Sequence, residues 1–285
     1  MGAASPGGRA IGLIGSARRH ILGAMSRIVF LVSLALALSG CYTVPETGRR
    51  SLMLVSVGQE TQLGAASFAD IRARRTVSAD AALNARVAKV GQRIARAVGD
   101  ALPGAQWEFV VFEDDSPNAF ALPGGKVGVH TGLFKIARTD DELAVVMGHE
   151  IAHVTARHGS ERLSQGLLLA AGGVALDVAL KDKDSGERRA WLAAYGLGTT
   201  VGVMLPFSRL NETEADQIGL RYAARAGYDP RAAVDFWTRM KADAEGKAKV
   251  PEWMSTHPSD DTRIRNLERL MPDAVAEYER ARAAL

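Results

Sequence analysis

Two histidines four residues apart with a glutamate behind the first, His149-Glu150-Ile151-Ala152-His153, constrain this chain more than anything else in it. Side chains at i and i+4 meet on one face of a helix, so the pentapeptide must be helical if the two rings are to act together. Both imidazoles then reach one metal ion, and Glu150 is placed to hold and deprotonate a water beside it. Thr139-Asp140-Asp141-Glu142 is a capping-box pattern. It opens a helix that runs through Leu143, Val146 and Met147 to the two histidines and on to about His158.

A catalytic zinc takes three protein ligands and leaves a position for water, so a third ligand is needed. The metzincin spacing wants Gly and His where this chain has Ala156 and Gly159, and His158 is out of that register. The gluzincin spacing wants a glutamate on a later helix with an acid one turn further on. Glu212-Thr213-Glu214-Ala215-Asp216 supplies it, because Glu212 and Asp216 share a helical face. In that arrangement Glu212 binds the metal, and Asp216 accepts the second ring N–H of a ligand histidine. Glu214 points about 160° away from Asp216 on the helical wheel and is the weaker candidate.

The chain is 47% hydrophobic and 24% charged in 285 residues, enough for one domain of roughly 200 residues with extensions. Its formal net charge of +3 comes from the start, where Arg9, Arg18, Arg19 and Arg27 stand among 40 residues that contain no acid. Beyond them bases and acids balance, which argues against a nucleic-acid surface. The only cysteine, Cys41, excludes an intrachain disulfide and a cysteine-rich metal site. Met25-Ser26-Arg27 and the uncharged run over residues 28–38 read as the basic and apolar parts of a secretory signal. Leu38-Ser39-Gly40-Cys41 then reads as a lipobox with Cys41 as the lipidated residue. We therefore expect a signal peptide over residues 1–40, with Met25 as an alternative start, a lipidated tether over 41–56, and a metallopeptidase domain over 57–285. Tyr42 after the cysteine, in place of aspartate, points to an outer-membrane lipoprotein facing the periplasm.

Taken in order, Ser56 and Gln59 form a capping box for a helix from Val57 to about Arg74. Leu83, Val87, Val90, Ile94 and Val98 give the next helix its apolar stripe, and Arg86, Lys89, Arg93 and Arg96 its solvated face. Residues 107–112 are aromatic and β-branched and read as a strand. Residues 118–125 form a short apolar run ended by Pro123-Gly124-Gly125, and 126–130 return from it, which predicts a small antiparallel sheet. Proline and glycine at that turn suit an edge, and an edge can pair with an extended peptide. Residues 163–180 and 190–207 are apolar; the glycines and threonines within the second favour buried or partner-facing helices over a membrane span. Helices follow over 208–226, 231–244 and 261–270, with a last one from Asp273. The fold class is α+β, mostly α, with the site between two helices.

Four motifs in order carry a resemblance: Asn118-Ala119-Phe120-Ala121 with Pro123-Gly124-Gly125, the motif helix, Leu205-Pro206-Phe207-Ser208-Arg209 leading to Glu212 and Asp216, and Thr256-His257-Pro258. Together they resemble the gluzincin metallopeptidases that include the CAAX prenyl protease, HtpX, Oma and BepA, nearest to the LoiP- and YcaL-like lipoprotein proteases. The resemblance implies a zincin-like domain and one Zn²⁺ per chain, held by His149, His153 and Glu212. It also implies that residues 118–122 dock substrate backbone and that His257 lies near the metal, as an oxyanion donor or as a cap in a resting state. His130 and His158 are left as structural. The activity implied is endoproteolysis of misfolded or unassembled envelope proteins, with envelope assembly machinery or a second copy of the chain as partners. A lipid-anchored chaperone that binds outer-membrane proteins without cutting is the alternative.

Overall fold

The computed structural model describes residues 41–244, His257 and 261–284; the expected leader lies outside the described residues. Two short strands, β1 (Cys41–Thr43) and β2 (Arg50–Leu52), pair antiparallel with Cys41 opposite Leu52. The chain reverses between them through Gly48, whose φ of +71° suits glycine. Val44 is fully buried, and Tyr42 donates its hydroxyl to the carbonyl of Thr155 at 2.9 Å. The stretch expected to be a tether is therefore a hairpin strapped onto the domain. Strands of three residues hold too little alternation to be recognised beside Pro45 and Gly48.

Helices α1 (Val57–Arg74) and α2 (Ala81–Val98) start where their caps predict, the first on the Ser56–Gln59 box and the second on Asp80. Strands β3 (Glu108–Phe112), β4 (Ala119–Leu122) and β5 (Lys126–His130) make a sheet in the order β3-β5-β4. β4 runs antiparallel to β5, but β3 is parallel to β5, so the sheet is mixed rather than antiparallel. The inversion follows from the connection: β4 is inserted between β3 and β5 in sequence yet sits at the edge in space. Ala119 and Ala121 face the main core, while Phe120 and Leu122 pack with Phe68 of α1 and Phe112 of β3.

The motif helix α3 (Asp140–Thr155) opens on the Thr139–Glu142 capping box and is buried on nearly every face. Arg86 and Lys89 of α2 reach Asp140 at 2.8 and 3.0 Å, so part of the face expected to be solvated anchors the start of α3. α3 stops short of His158, because Arg157 adopts φ +58°. Glu60 at 2.9 Å and the Val55 carbonyl at 2.8 Å hold its guanidinium in that turn, above the Tyr42 ring.

Helices α4 (His158–Ala179) and α5 (Ser185–Thr199) follow, and α5 passes through a π-helical turn, Thr200–Met204, into α6 (Leu205–Arg225). Of the two expectations for the apolar segments, buried or partner-facing helices, burial within the chain does not hold. Beyond Ser164 no residue of α4 or α5 is buried, and Leu167, Val174, Val178, Trp191 and Leu197 are exposed. The continuous helix Ser185–Arg225 is long and apolar enough to cross a membrane by length and composition. Tyr195 packs on Gly172 and Gly173 and donates to the Leu169 carbonyl at 2.9 Å, joining the two helices to each other. Last come α7 (Ala232–Ala244) and α8 (Asp261–Ala283). Two helices were expected around Pro272, but one runs across it, held by Leu267 and Ala274, buried on either side of the proline.

Candidate active site

α3 and α6 meet at two glycines. A Cβ on Gly219 would stand 2.7 Å from the backbone nitrogen of His149, and one on Gly148 would stand 2.7 Å from the Gly219 carbonyl oxygen. Those distances are inside van der Waals contact, so the approach requires glycine at both positions. It brings Glu212 of α6 opposite the histidines of α3. His149 Nε2 lies 3.1 Å from His153 Nε2 and 3.4 Å from Glu212 Oε2, and His153 Nε2 lies 3.4 Å from Glu212 Oε1. A tetrahedral zinc with ligand bonds of 2.0–2.1 Å needs donor atoms about 3.3 Å apart. The two imidazoles and the carboxylate meet that requirement in both spacing and donor chemistry. Among the described residues they form, with His257, a cluster of donors all within 4.8 Å of one another.

His257 Nδ1 is 2.9 Å from Glu212 Oε2 and 3.2 Å from His149 Nε2, and its Nε2 is 3.7 Å from Glu150 Oε1. His257, expected close to the metal, stands within the cluster of donor atoms itself. Asp216 Oδ1 accepts from His149 Nδ1 at 3.0 Å, as expected for the acid one turn beyond Glu212.

Behind these residues are others that the sequence did not disclose. Arg263 of α8 holds Asp216 through two hydrogen bonds, at 2.6 and 2.9 Å, reaches Glu212 Oε2 at 3.3 Å, and lies 3.3 Å above the centre of the Trp237 ring. His158, expected to be structural, puts Nδ1 2.8 Å from His153 Nδ1 and Nε2 2.9 Å from Glu214 Oε2. Glu214 was the weaker candidate because it points away from Asp216, and it serves the other histidine for that reason. The contacts of Arg263 and Glu214 join residues far apart in the chain, and the step from His153 to His158 crosses the break between α3 and α4, so no helical spacing announces them. His130 does remain remote, between Arg75 and Ser116.

The electrostatics follow from burial set against pairing. Burial and Arg263 push His149 down, yet Asp216 and Glu212 raise it to about 9 in the metal-free protein. Burial dominates at His153 and holds it well below the usual imidazole range. Burial works to raise Glu212, but hydrogen bonds from three histidines hold its carboxyl far below the usual carboxylate range. Glu214 is likewise opposed by burial and brought down to about 2 by His158, Thr47 and Arg49.

A cleft of about 360 Å³ opens along Glu150, His153 and His257. Asn118, Ala119, Phe120 and Ala121 line it together with Leu122, Pro123 and Arg157. The Phe120 ring is committed to packing against Phe68 and Phe112, so what β4 offers the cleft is mainly its backbone.

Residues 81–271 match the family model of peptidase family M48. The chain is 36% identical over 240 residues to the mitochondrial metalloendopeptidase OMA1 of Schizosaccharomyces pombe, an alignment covering 83% of this chain and 68% of that protein. It is 32% identical over 267 residues to the OMA1 metalloendopeptidase of Danio rerio, covering 90% of this chain and 56% of that one. It is 31% identical over 241 residues to the beta-barrel assembly-enhancing protease of Escherichia coli K12, covering 78% of this chain and 46% of that one. The chain thus spans about half to two thirds of the length of the relatives it matches. It belongs to peptidase family M48, and by that membership and its relatives it is a metalloendopeptidase.

Proposed function

We propose that the chain is a zinc-dependent endopeptidase that cuts misfolded or unassembled envelope proteins while they are extended, and that it is anchored in the outer membrane through Cys41. The observation that carries the reading is the cleft, in which the open side of edge strand β4 leads to Glu150, His153 and His257. An extended polypeptide can add to that edge through main-chain hydrogen bonds, which read backbone rather than sequence. Such recognition suits substrates defined by being unfolded. The relative named for beta-barrel assembly supports an envelope setting, as do the lipobox and the exposed position of Cys41.

Zinc held by His149, His153 and Glu212 would polarise the scissile carbonyl and acidify a water. Glu150, facing the same cleft, takes the proton from the attacking water and delivers it to the amine nitrogen as the C–N bond breaks. Asp216 and His158 fix the two ligand rings, each by accepting a ring N–H. His257, standing among the ligand atoms, fits a resting-state cap that withdraws when substrate enters. The other role open to it is that of a donor to the developing oxyanion.

The exposed apolar faces of α4 and α5 favour the second reading, a lipid-anchored factor that holds unassembled proteins without cutting them. The two readings separate when zinc-loaded wild type and Glu150→Gln are incubated with an unfolded protein. Cleavage by the wild type is expected, with a loss of at least about a hundredfold in Glu150→Gln while zinc content is retained. Equal cleavage by both, or none by the wild type, overturns the protease reading.

A further inference from the structure

The family match begins at Ala81, yet the hairpin ahead of it reaches the metal site. We propose that Thr47 and Arg49 of this N-terminal strap are positioning residues for the ligand histidine His153, acting through Glu214 and His158; the inference rests on the zinc-peptidase reading above.

The geometry allows one arrangement of protons along the chain of contacts. His153 Nε2 faces the donor cluster, so as a metal ligand it must offer a lone pair there and carry its hydrogen on Nδ1. The partner of Nδ1 is His158 Nδ1 at 2.8 Å, which must therefore accept. His158 then carries its hydrogen on Nε2 and donates it to Glu214 Oε2 at 2.9 Å. Were His158 to shift its proton to Nδ1 it would present an N–H to an N–H, and were its ring to turn over it would present a C–H; either way the His153 ring would lose its support.

What keeps Glu214 aimed at His158 is the strap. Arg49 Nε donates to Glu214 Oε2 at 2.6 Å, and the Thr47 hydroxyl donates to Oε1. The two terminal nitrogens of Arg49 are taken up by Glu161 of α4 at 2.7 and 2.9 Å. His158, Glu161 and Glu214 are all buried, so two carboxylates face each other there across one guanidinium. A planar fork that donates to both suits the position, and a point charge does not. The strap is held in turn by buried Val44 and by Tyr42, bonded to the last residue of α3. Sequence separations of 112 and more between the strap and its carboxylates explain why no local motif reveals the link.

The test compares Arg49→Ala, Arg49→Lys and Thr47→Val with wild type, using Arg50→Ala, at an exposed neighbouring position, as the control. Zinc affinity is read by competition with a chromogenic chelator, alongside kcat and KM on an unfolded protein. Arg49→Ala is expected to weaken zinc binding by about ten- to a hundredfold and to lower kcat with KM unchanged, since the cleft lining is untouched. Arg49→Lys should recover part of the loss, and Thr47→Val should show a smaller loss of the same kind. If Arg49→Ala loses helix content by circular dichroism, Thr47→Val, which removes one hydroxyl, decides the matter. Variants that hold zinc as tightly as Arg50→Ala overturn the inference while leaving the peptidase reading standing. A wild-type chain that binds no zinc overturns both.

Discussion

His149 answers to two demands that conflict. In the metal-free protein it is buried between Asp216 and Glu212, which raise it to about 9, yet a metal ligand must be neutral. With its folded value above the usual 6.5, the protonated ring stabilises the metal-free fold fully below 6.5, and that contribution is lost as pH rises through about 9. Zinc uptake near pH 7.5 should therefore expel about one proton from this residue. Calorimetric titration with zinc in two buffers of different ionisation enthalpy checks it: the heats should differ accordingly, and the difference should fade above pH 9. Identical heats at pH 7.5 would contradict the assignment. At this scale the sequence was most legible where spacing encodes geometry. His149, Glu150, His153, Glu212 and Asp216 could all be placed because each pair sits one turn apart on its own helix. Arg263 and Arg49 act across long sequence separations, and His158 reaches His153 across the break between α3 and α4, so none of them leaves a helical spacing to read; Glu214, ranked below Glu212 as a ligand, lies outside the donor cluster, and only its pairing with His158 was unforeseen.

Two helices bring the ligands together, and their separation is set by Gly148 and Gly219 rather than by the ligands. A methyl group at either position would collide with backbone of the other helix, and backbone cannot yield as the end of a flexible side chain can. Gly219→Ala should therefore cost about 1–3 kcal/mol through overpacking, and it should loosen zinc binding because the displaced atoms belong to His149. Thermal unfolding of the metal-free protein and a zinc titration read the two effects; a variant that melts and binds zinc like wild type would contradict the account. Elements with caps and long periods were read well, as α1, α2 and the start of α3 show. Two other elements were misjudged for physical reasons. The parallel pairing of β3 with β5 was hidden because the intervening strand lies outside the pair. The continuity of α8 across Pro272 depends on packing against the core, which outweighs the local preference of proline.

Taken as a whole, the molecule sets a buried α3 between a small mixed sheet and α6, with the cleft along the edge of that sheet. Two apolar helices, α4 and α5, stand away from this core. Leu54 donates its backbone N–H to Ser164 Oγ at 2.8 Å, so the N-terminal strap and the base of α4 are neighbours. Under the lipid anchor proposed at Cys41, no free length of chain separates the lipidated residue from the catalytic domain, because Cys41 already belongs to β1. Such an anchor would hold the domain close to the lipid surface, without the reach expected of a tether. The central claim is narrower than that setting: His149, His153 and Glu212 hold zinc in front of Glu150. Anomalous scattering at the zinc edge from crystals of the zinc-loaded chain tests it most directly. One zinc per chain is expected, about 2.0–2.1 Å from a ring nitrogen of His149, a ring nitrogen of His153 and a carboxylate oxygen of Glu212. A peak elsewhere, or one at the histidines that leaves Glu212 unbound, would contradict it.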